Sequence, residues 1–148
     1  MAELHNALPV HLAVQTRSHA ELVNITARVA ACVPAAFTGV CHVFCTHTTA
    51  GLTINENADP DVVHDLLLEL ERLVPWRNPA FRHAEGNSAA HVKASLMGAA
   101  LAVPVADGRL ALGVWQGLYL CEFDGPRTRT VLVQLTPAAT PGPLGAPA

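Results

Sequence analysis

The C-terminal third carries a close series of β-rich runs punctuated by Asp-Gly turns, and this pattern constrains the fold most. Leu101–Val105, Leu110–Trp115, Leu118–Phe123 and Arg127–Leu135 each read as strands. Ala106-Asp107-Gly108-Arg109 separates the first two as a tight hairpin, because Asp-Gly suits the positive φ angles of a two-residue turn. Asp124-Gly125-Pro126 turns the chain again. Sequential hairpins of this kind favour an antiparallel sheet. A sheet that is apolar on one face needs a covering layer, so the upstream half must supply helices.

That upstream half alternates between the two periods. Val10, Leu12 and Val14 predict a first strand. Ser18-His19-Ala20-Glu21 fits a capping box, followed by Leu22, Ile25, Val29 and Cys32 at helical spacing and stopped by Pro34. Gly39 to Thr49 is β-rich. Its alternation sets Cys41, Val43, Cys45, His47 and Thr49 on one face, and Gly51 allows a bend before Leu52–Ile54. Asp59-Pro60-Asp61 starts a helix as N-cap, first-turn proline and first-turn acid. Its stripe is Val63, Leu66, Leu67, Leu70, Leu73 and Val74, ended by Pro75. Residues 76–86 read as a loop, and Ser88 caps a third helix through Met97. The expectation is an α+β fold: one domain over residues 1–136, then a Pro/Ala/Gly tail over 137–148 that cannot bury enough surface to order itself.

Charge and cysteine usage exclude several classes. The chain has 148 residues, a net charge of −3 and one lysine, Lys93, so no basic stripe exists to meet nucleic-acid phosphates. No run approaches the ~18 apolar residues of a membrane span, and no basic-then-apolar leader is seen. Cys32, Cys41, Cys45 and Cys121 form no C-x-x-C pair and read as reduced thiols, which makes the cytoplasm the expected compartment. Charged residues are only 14% of the chain, which hints at apolar surface buried between subunits.

Four places carry candidate chemistry. His47, at a strand end before the Gly51 bend, suits a metal ligand or general base, or a buried histidine bonded to a threonine. His64 lies in the first turns of the second helix, on the flank of its stripe, where a solvated residue is the plainer reading. His91 falls at the start of the third helix, where the dipole favours neutral imidazole and hence ligation or base chemistry; an ordinary helix start is the alternative. Lys93 beside it suits a positioned cation. Last, Trp115 and Gln116 can stack on and orient a planar ligand, Glu122 can act as acid, base or ligand, and Arg127 can hold phosphate. A packed Trp and an exposed hairpin charge pair are the alternatives. The three histidines match no metal spacing motif, although three would leave a fourth zinc position open.

Taken together, several blocks resemble the YjbQ-like family, whose members are described as secondary thiamine-phosphate synthases. They are His47-Thr48-Thr49-Ala50, Leu52-Thr53-Ile54-Asn55-Glu56-Asn57 with Asp59-Pro60, His64-Asp65, His91-Val92-Lys93, Gly98, Pro104 with Gly108, Gly113-Val114-Trp115-Gln116-Gly117 to Glu122, and Gly125-Pro126-Arg127-Thr128-Arg129. Their order and spacing agree over about residues 8 to 136. The resemblance implies an antiparallel β-sandwich flanked by helices, a homotrimer, and transfer of a hydroxymethylpyrimidine diphosphate onto a thiazole phosphate. It implies one site, shared between subunits or not. In that site His47, His91, Lys93 and Glu122 are catalytic, and Thr48, Thr49, Asn55, Asn57, Trp115, Gln116 and Arg127 bind substrate. His47, His64 and His91 would hold a divalent metal, Zn or Mg. The loop before His91 departs from the family pattern: it reads Asn87-Ser88-Ala89-Ala90, with no acid after Glu85.

Three functions are therefore expected candidates. The first is the transferase, for which Lys93, Arg127 and Arg129 are the available cations. The second is a hydrolase with a histidine-bound metal and Glu122 as base. The third is a non-catalytic trimer that binds a small phosphorylated or heteroaromatic ligand.

Overall fold

The computed structural model describes residues 8–139. Eight strands and three helices follow in the order β1 (Val10–Gln15), β2 (Glu21–Asn24), α1 (Thr26–Ala30), β3 (Gly39–Cys45), β4 (Ala50–Glu56), α2 (Pro60–Leu73), α3 (Ser88–Met97), β5 (Ala100–Ala106), β6 (Arg109–Leu110), β7 (Gln116–Glu122) and β8 (Thr128–Pro137). They build two antiparallel sheets, one of five strands in the order β1-β8-β3-β5-β6 and one of three in the order β2-β7-β4. The α+β class and antiparallel sheets are present, but of the C-terminal turns only Asp107-Gly108 joins paired neighbours. β7 pairs with β2 and β4, and β8 with β1 and β3, so Asp124-Gly125-Pro126 carries the chain from one sheet to the other instead of closing a hairpin.

The layers follow from where each strand sends its side chains. Val14, Cys41, Val43, Val103, Val131 and Val133 from the larger sheet share one apolar core with Leu52, Leu118 and Leu120 from the smaller, closed by Ile25 and Val29. The other face of the small sheet packs Tyr119, Cys121 and Phe123 against Leu70 of α2 and Ala90 and Ala94 of α3. β7 is thus covered on both faces, which is why residues 117–122 are all buried.

Local signals explain most boundaries. Asp59 accepts the Asp61 amide at 2.9 Å and Pro60 opens α2, as the capping logic requires. The β5–β6 hairpin holds Asp107 at φ 48° and Gly108 at φ 75°, the positive pair of a type I′ turn. α3 lies close on β4 because its inner face is Ala89, Ala90 and Ala94 and because position 51 is glycine. A Cβ on Gly51 would stand 2.9 Å from both the Gly98 carbonyl oxygen and the Met97 Cβ.

Four further expectations need correction. Residues 21–24 are a strand, not the start of a helix: they complete the small sheet against β7 from Glu21↔Glu122 to Asn24↔Tyr119. The Glu21 carboxylate accepts the Arg17 amide at 2.7 Å instead of reaching back to residue 18. The helix survives only as α1, with Ile25 and Val29 inward. The strand expected over Leu110–Trp115 ends at Leu110, because Gly113–Gln116 is a turn closed by the Gln116 amide on the Gly113 carbonyl and by the Gln116 side chain on the Gly113 amide. Ser88 is the first residue of α3 rather than its cap. Asn87 stands at the cap, and its side chain is engaged elsewhere. Finally, Pro137 still belongs to β8, and the tail expected from there lies outside the described residues beyond Ala139.

Candidate functional site

The 46–49 connection between β3 and β4 delivers His47 to the seam between the two sheets. There its Nε2 accepts the backbone amide of Thr130 at 2.7 Å. A backbone amide can only donate, so this ring nitrogen carries no proton and a neutral His47 holds its hydrogen on Nδ1. Burial lowers the pKa of His47, the Arg129 charge lowers it further, and Glu122 opposes the shift. His47 is therefore a fixed Nδ1–H donor.

Beneath it lies a sealed polar network. Glu122 and Arg129 form an ion pair buried between the sheets, and the Arg129 Nε donates to Glu122 Oε2 at 2.8 Å. Thr16 Oγ1 donates to the same oxygen at 2.8 Å, and the Asp124 amide donates to Oε1 at 2.9 Å. Arg129 also reaches Thr49 Oγ1 at 2.8 Å. Burial pushes the Glu122 pKa up, but hydrogen bonds from Arg129, the Asp124 amide and Thr16 outweigh it and hold the group below its ordinary value. With two donors on each oxygen, the carboxylate has no free acceptor position. Glu122, expected as an acid or base, is a structural anion. Arg129, counted among cations available for phosphate, is its counter-ion.

α3 brings the second imidazole. His91 and His47 line one open cavity of about 460 Å³ with Thr48, Ser95 and Gly98. Neither ring nitrogen of His91 is hydrogen-bonded among the described residues, and its ring meets His83 edge-on at 5.4 Å between centroids. Lys93, on the buried side of α3, is paired with Glu71 of α2. Arg127 is held by Asp124, its Nη2 at 2.9 Å from Oδ2; this is the charge pair considered for it, in a turn that joins the two sheets and with Asp124 mostly buried. Asp124 Oδ2 also accepts the Asn87 side-chain amide at 2.9 Å, so an acid does face the start of α3, supplied from the β7–β8 turn. Glu85 adds a longer contact to Asn87 at 3.4 Å.

The other expected residues do not join this cavity within one chain. His64 is exposed on α2 beside Asp65 at 3.1 Å. Asn55 and Asn57 lie at the far end of β4, next to Trp115 and Gln116, since Glu56 pairs with Gln116 while Ala50 pairs with Glu122. Six steps of strand put those two ends roughly 20 Å apart. Trp115 is 61% exposed in its turn. The residues do not fit a metal within one chain either. The described residues contain no group of three His, Cys, Asp or Glu side chains placed to hold an ion, and His47 has already committed Nε2 to Thr130. All four cysteines are free. Burial pushes Cys121 up to about 12 and Cys41 to about 11, so neither is a nucleophile; Cys32 is half-buried. Thr16, Glu71 and Asn87 hold the site together and gave no signal in the sequence, because each acts through a partner distant in the chain.

These features define a class: an α+β domain of two antiparallel sheets with a histidine-lined cavity where one sheet meets a helix. Comparison with known proteins places it further. Residues 10–138 match the family model described as UPF0047 protein YjbQ-like, and the chain belongs to this family. It is 48% identical to the UPF0047 protein YugU of Bacillus subtilis over 126 residues, which is 84% of this chain and 96% of that protein. A UPF0047 protein of Methanocaldococcus jannaschii is 44% identical, covering 82% of this chain and 89% of the relative. Among solved structures, a conserved protein of the YjbQ/UPF0047 family from Clostridium acetobutylicum superposes with a TM-score of 0.82 at 44% identity, over 86% of this chain and 99% of that one. A conserved hypothetical protein from Thermus thermophilus gives 0.82 at 48% identity with the same coverage. Among the described residues, no helix is long and apolar enough to cross a membrane.

Proposed function

We propose that this chain is an acid–base transferase for small phosphorylated heteroaromatic molecules, working in the His47–His91 cavity. The observation that carries this reading is the pairing of two imidazoles, 44 residues apart in sequence, on one cavity: one a fixed donor, the other with both nitrogens unengaged among the described residues. The reaction to test is the one the family resemblance implies. The ring nitrogen of a thiazole phosphate attacks the methylene carbon of a hydroxymethylpyrimidine diphosphate. The new C–N bond forms as the C–O bond breaks, and pyrophosphate leaves with that electron pair. His47 Nδ1–H donates to a phosphate oxygen, and His91 supplies a proton to the leaving group. We place the activity in the cytoplasm, in keeping with the free thiols. We also propose the homotrimer that the family resemblance implies; the charged fraction of only 14% and the distance of Trp115 and Gln116 from His47 within one chain support contacts between subunits.

The test is product formation from the two precursors. Loss of a general acid costs about 10²–10⁴-fold, so His91→Ala should lower turnover by that factor while the fold persists. Turnover equal to wild type in that variant would remove the reading. A second reading, a trimer that binds such a ligand without turning it over, is favoured by one observation: Lys93, Arg127 and Arg129 are each already paired with an acid. Binding without product, at any divalent ion supplied, would select it.

A further inference from the structure

Residues 74–87 join α2 to α3 without regular secondary structure. Connections beyond about 12–15 residues are uncommon in compact domains unless they serve a function. This one is built, not slack. The Glu71 carboxylate takes the Trp76 amide at 2.9 Å with one oxygen and Lys93 with the other, tying the loop entrance to the underside of α3. Asn78 accepts the Ala80 amide through its side chain and the Phe81 amide through its carbonyl, and the Gly86 amide closes on His83. At its end Asn87 is 8% exposed and held by Asp124.

The loop frames a second, open cavity of about 520 Å³, lined by Trp76, Arg77, Asn78, Phe81 and His83. Its chemistry is specific. Three flat rings offer stacking faces, and the edge-on contact with His19, 4.4 Å between centroids, holds the Trp76 ring in place. Among the described residues, the Arg77 guanidinium makes no ion pair or hydrogen bond, in contrast to Lys93, Arg127 and Arg129. Glu85 stands beside the lining, 3.8 Å from His83. A planar ring satisfies the aromatic walls, and an oxyanion on that ring satisfies Arg77 bidentately. The two cavities share a wall: His83 lines this one, His91 lines the other, and their rings touch.

We propose that the 74–87 loop forms a second binding subsite for a phosphate-bearing heteroaromatic ring, with Arg77 holding the phosphate and Trp76 and Phe81 holding the ring. The subsite stands on its own lining; its partnership with the His47–His91 cavity rests on the function proposed above. A ligand of two linked rings would then span both cavities across the His83–His91 wall.

The probe is thiamine monophosphate, with inorganic phosphate and unphosphorylated thiamine as controls, titrated by calorimetry into the full chain. The Trp76 indole resonance, identified by its loss in Trp76→Phe, reports the location. Binding of thiamine monophosphate that shifts this resonance, weakened at least tenfold in Arg77→Ala and in Phe81→Ala, is the expected result. Phosphate alone binding as tightly, the two variants binding like wild type, or no binding at all would overturn the subsite. Both variants keep Glu71 and Lys93, and their amide spectra show whether the loop is intact; Arg77→Lys, which preserves charge but not the fork, should recover only part of the affinity. Turnover and thiamine monophosphate binding that both persist unchanged in Arg77→Ala would sink the subsite and leave the proposed transferase standing. Binding at Trp76 without turnover would do the reverse.

Discussion

At the end of β7, Glu122 and Arg129 direct every hydrogen bond to each other and to Thr16, Thr49 and the Asp124 amide. Across α3, His91 and Arg77 leave theirs uncommitted among the described residues and line open cavities. Both regions are built around charged and polar side chains, and they differ in how far the hydrogen-bonding capacity is filled. A saturated buried ion pair holds two sheets in register and offers a substrate nothing. Unfilled donors beside apolar walls cost stability only where water cannot reach them, so an open cavity can keep them available for a ligand. His47 stands on the boundary, one nitrogen committed to the scaffold and the other free of it.

The largest effect should come from breaking the sealed region. Arg129→Met leaves Glu122 buried without its counter-ion, and loss of one partner from such a pair costs about 3–5 kcal/mol, read as a fall in the denaturant midpoint. Arg77→Ala should change stability by less than about 0.5 kcal/mol, as surface changes do. Equal losses in the two variants would erase the distinction between the regions.

Gly51→Ala should come next. Its Cβ meets the Met97 Cβ and the Gly98 carbonyl at 2.9 Å, so α3 must shift, and overpacking of this kind costs about 1–3 kcal/mol. The same shift moves His91 away from His47, so turnover or ligand affinity should fall along with stability. A variant with wild-type stability would show that α3 is not wedged against β4.

The pH dependence separates the boundary residue from the scaffold. His47 has a lowered pKa in the folded state, so the unfolded chain binds the extra proton first. Its contribution is complete above the unfolded value of about 6.5 and is lost as pH falls from there toward the lowered folded value. Glu122 is also lowered, so its contribution is complete above the unfolded value of about 4.3 and is lost below it, down to the folded pKa. Stability measured against pH should therefore decline in two stages. His47→Gln should remove the upper one and keep the lower. The smallest effect belongs to His64→Ala: on the exposed flank of α2, it should change stability by less than about 0.5 kcal/mol and leave ligand binding by a single chain intact.

Much of the fold was legible in local signals. The Asp59-Pro60 start, the Asp107-Gly108 hairpin and the alternation through Cys41, Val43 and Cys45 each appear where their residues place them, and the strand expected over Arg127–Leu135 runs from Thr128 to Pro137. Glu21–Asn24 misled because its apolar spacing fits both periods, and the open edge of β7 decided the matter. His47 and His91 were visible as residues, and their common cavity agrees with treating them together. For His64 a solvated flank is the plainer reading of the sequence, and it is exposed on α2; Trp115 and Gln116 lie at the far end of β4 from His47 in one chain.

The sequence by itself determined which segments are strands and helices in most of the chain, the β5–β6 hairpin, the family, and the imidazoles worth attention. These follow from turn chemistry, hydrophobic period and block spacing, which act over a few residues or survive as a pattern. Tertiary structure alone decided that Glu122 is saturated, that Lys93 and Arg129 are paired with acids, that His47 accepts through Nε2, and that Trp76, Arg77 and Phe81 line an open cavity. The physical reason is that the availability of a charged or polar group depends on partners brought to it from 7 to 106 residues away, as with Arg129 and Thr16 on Glu122.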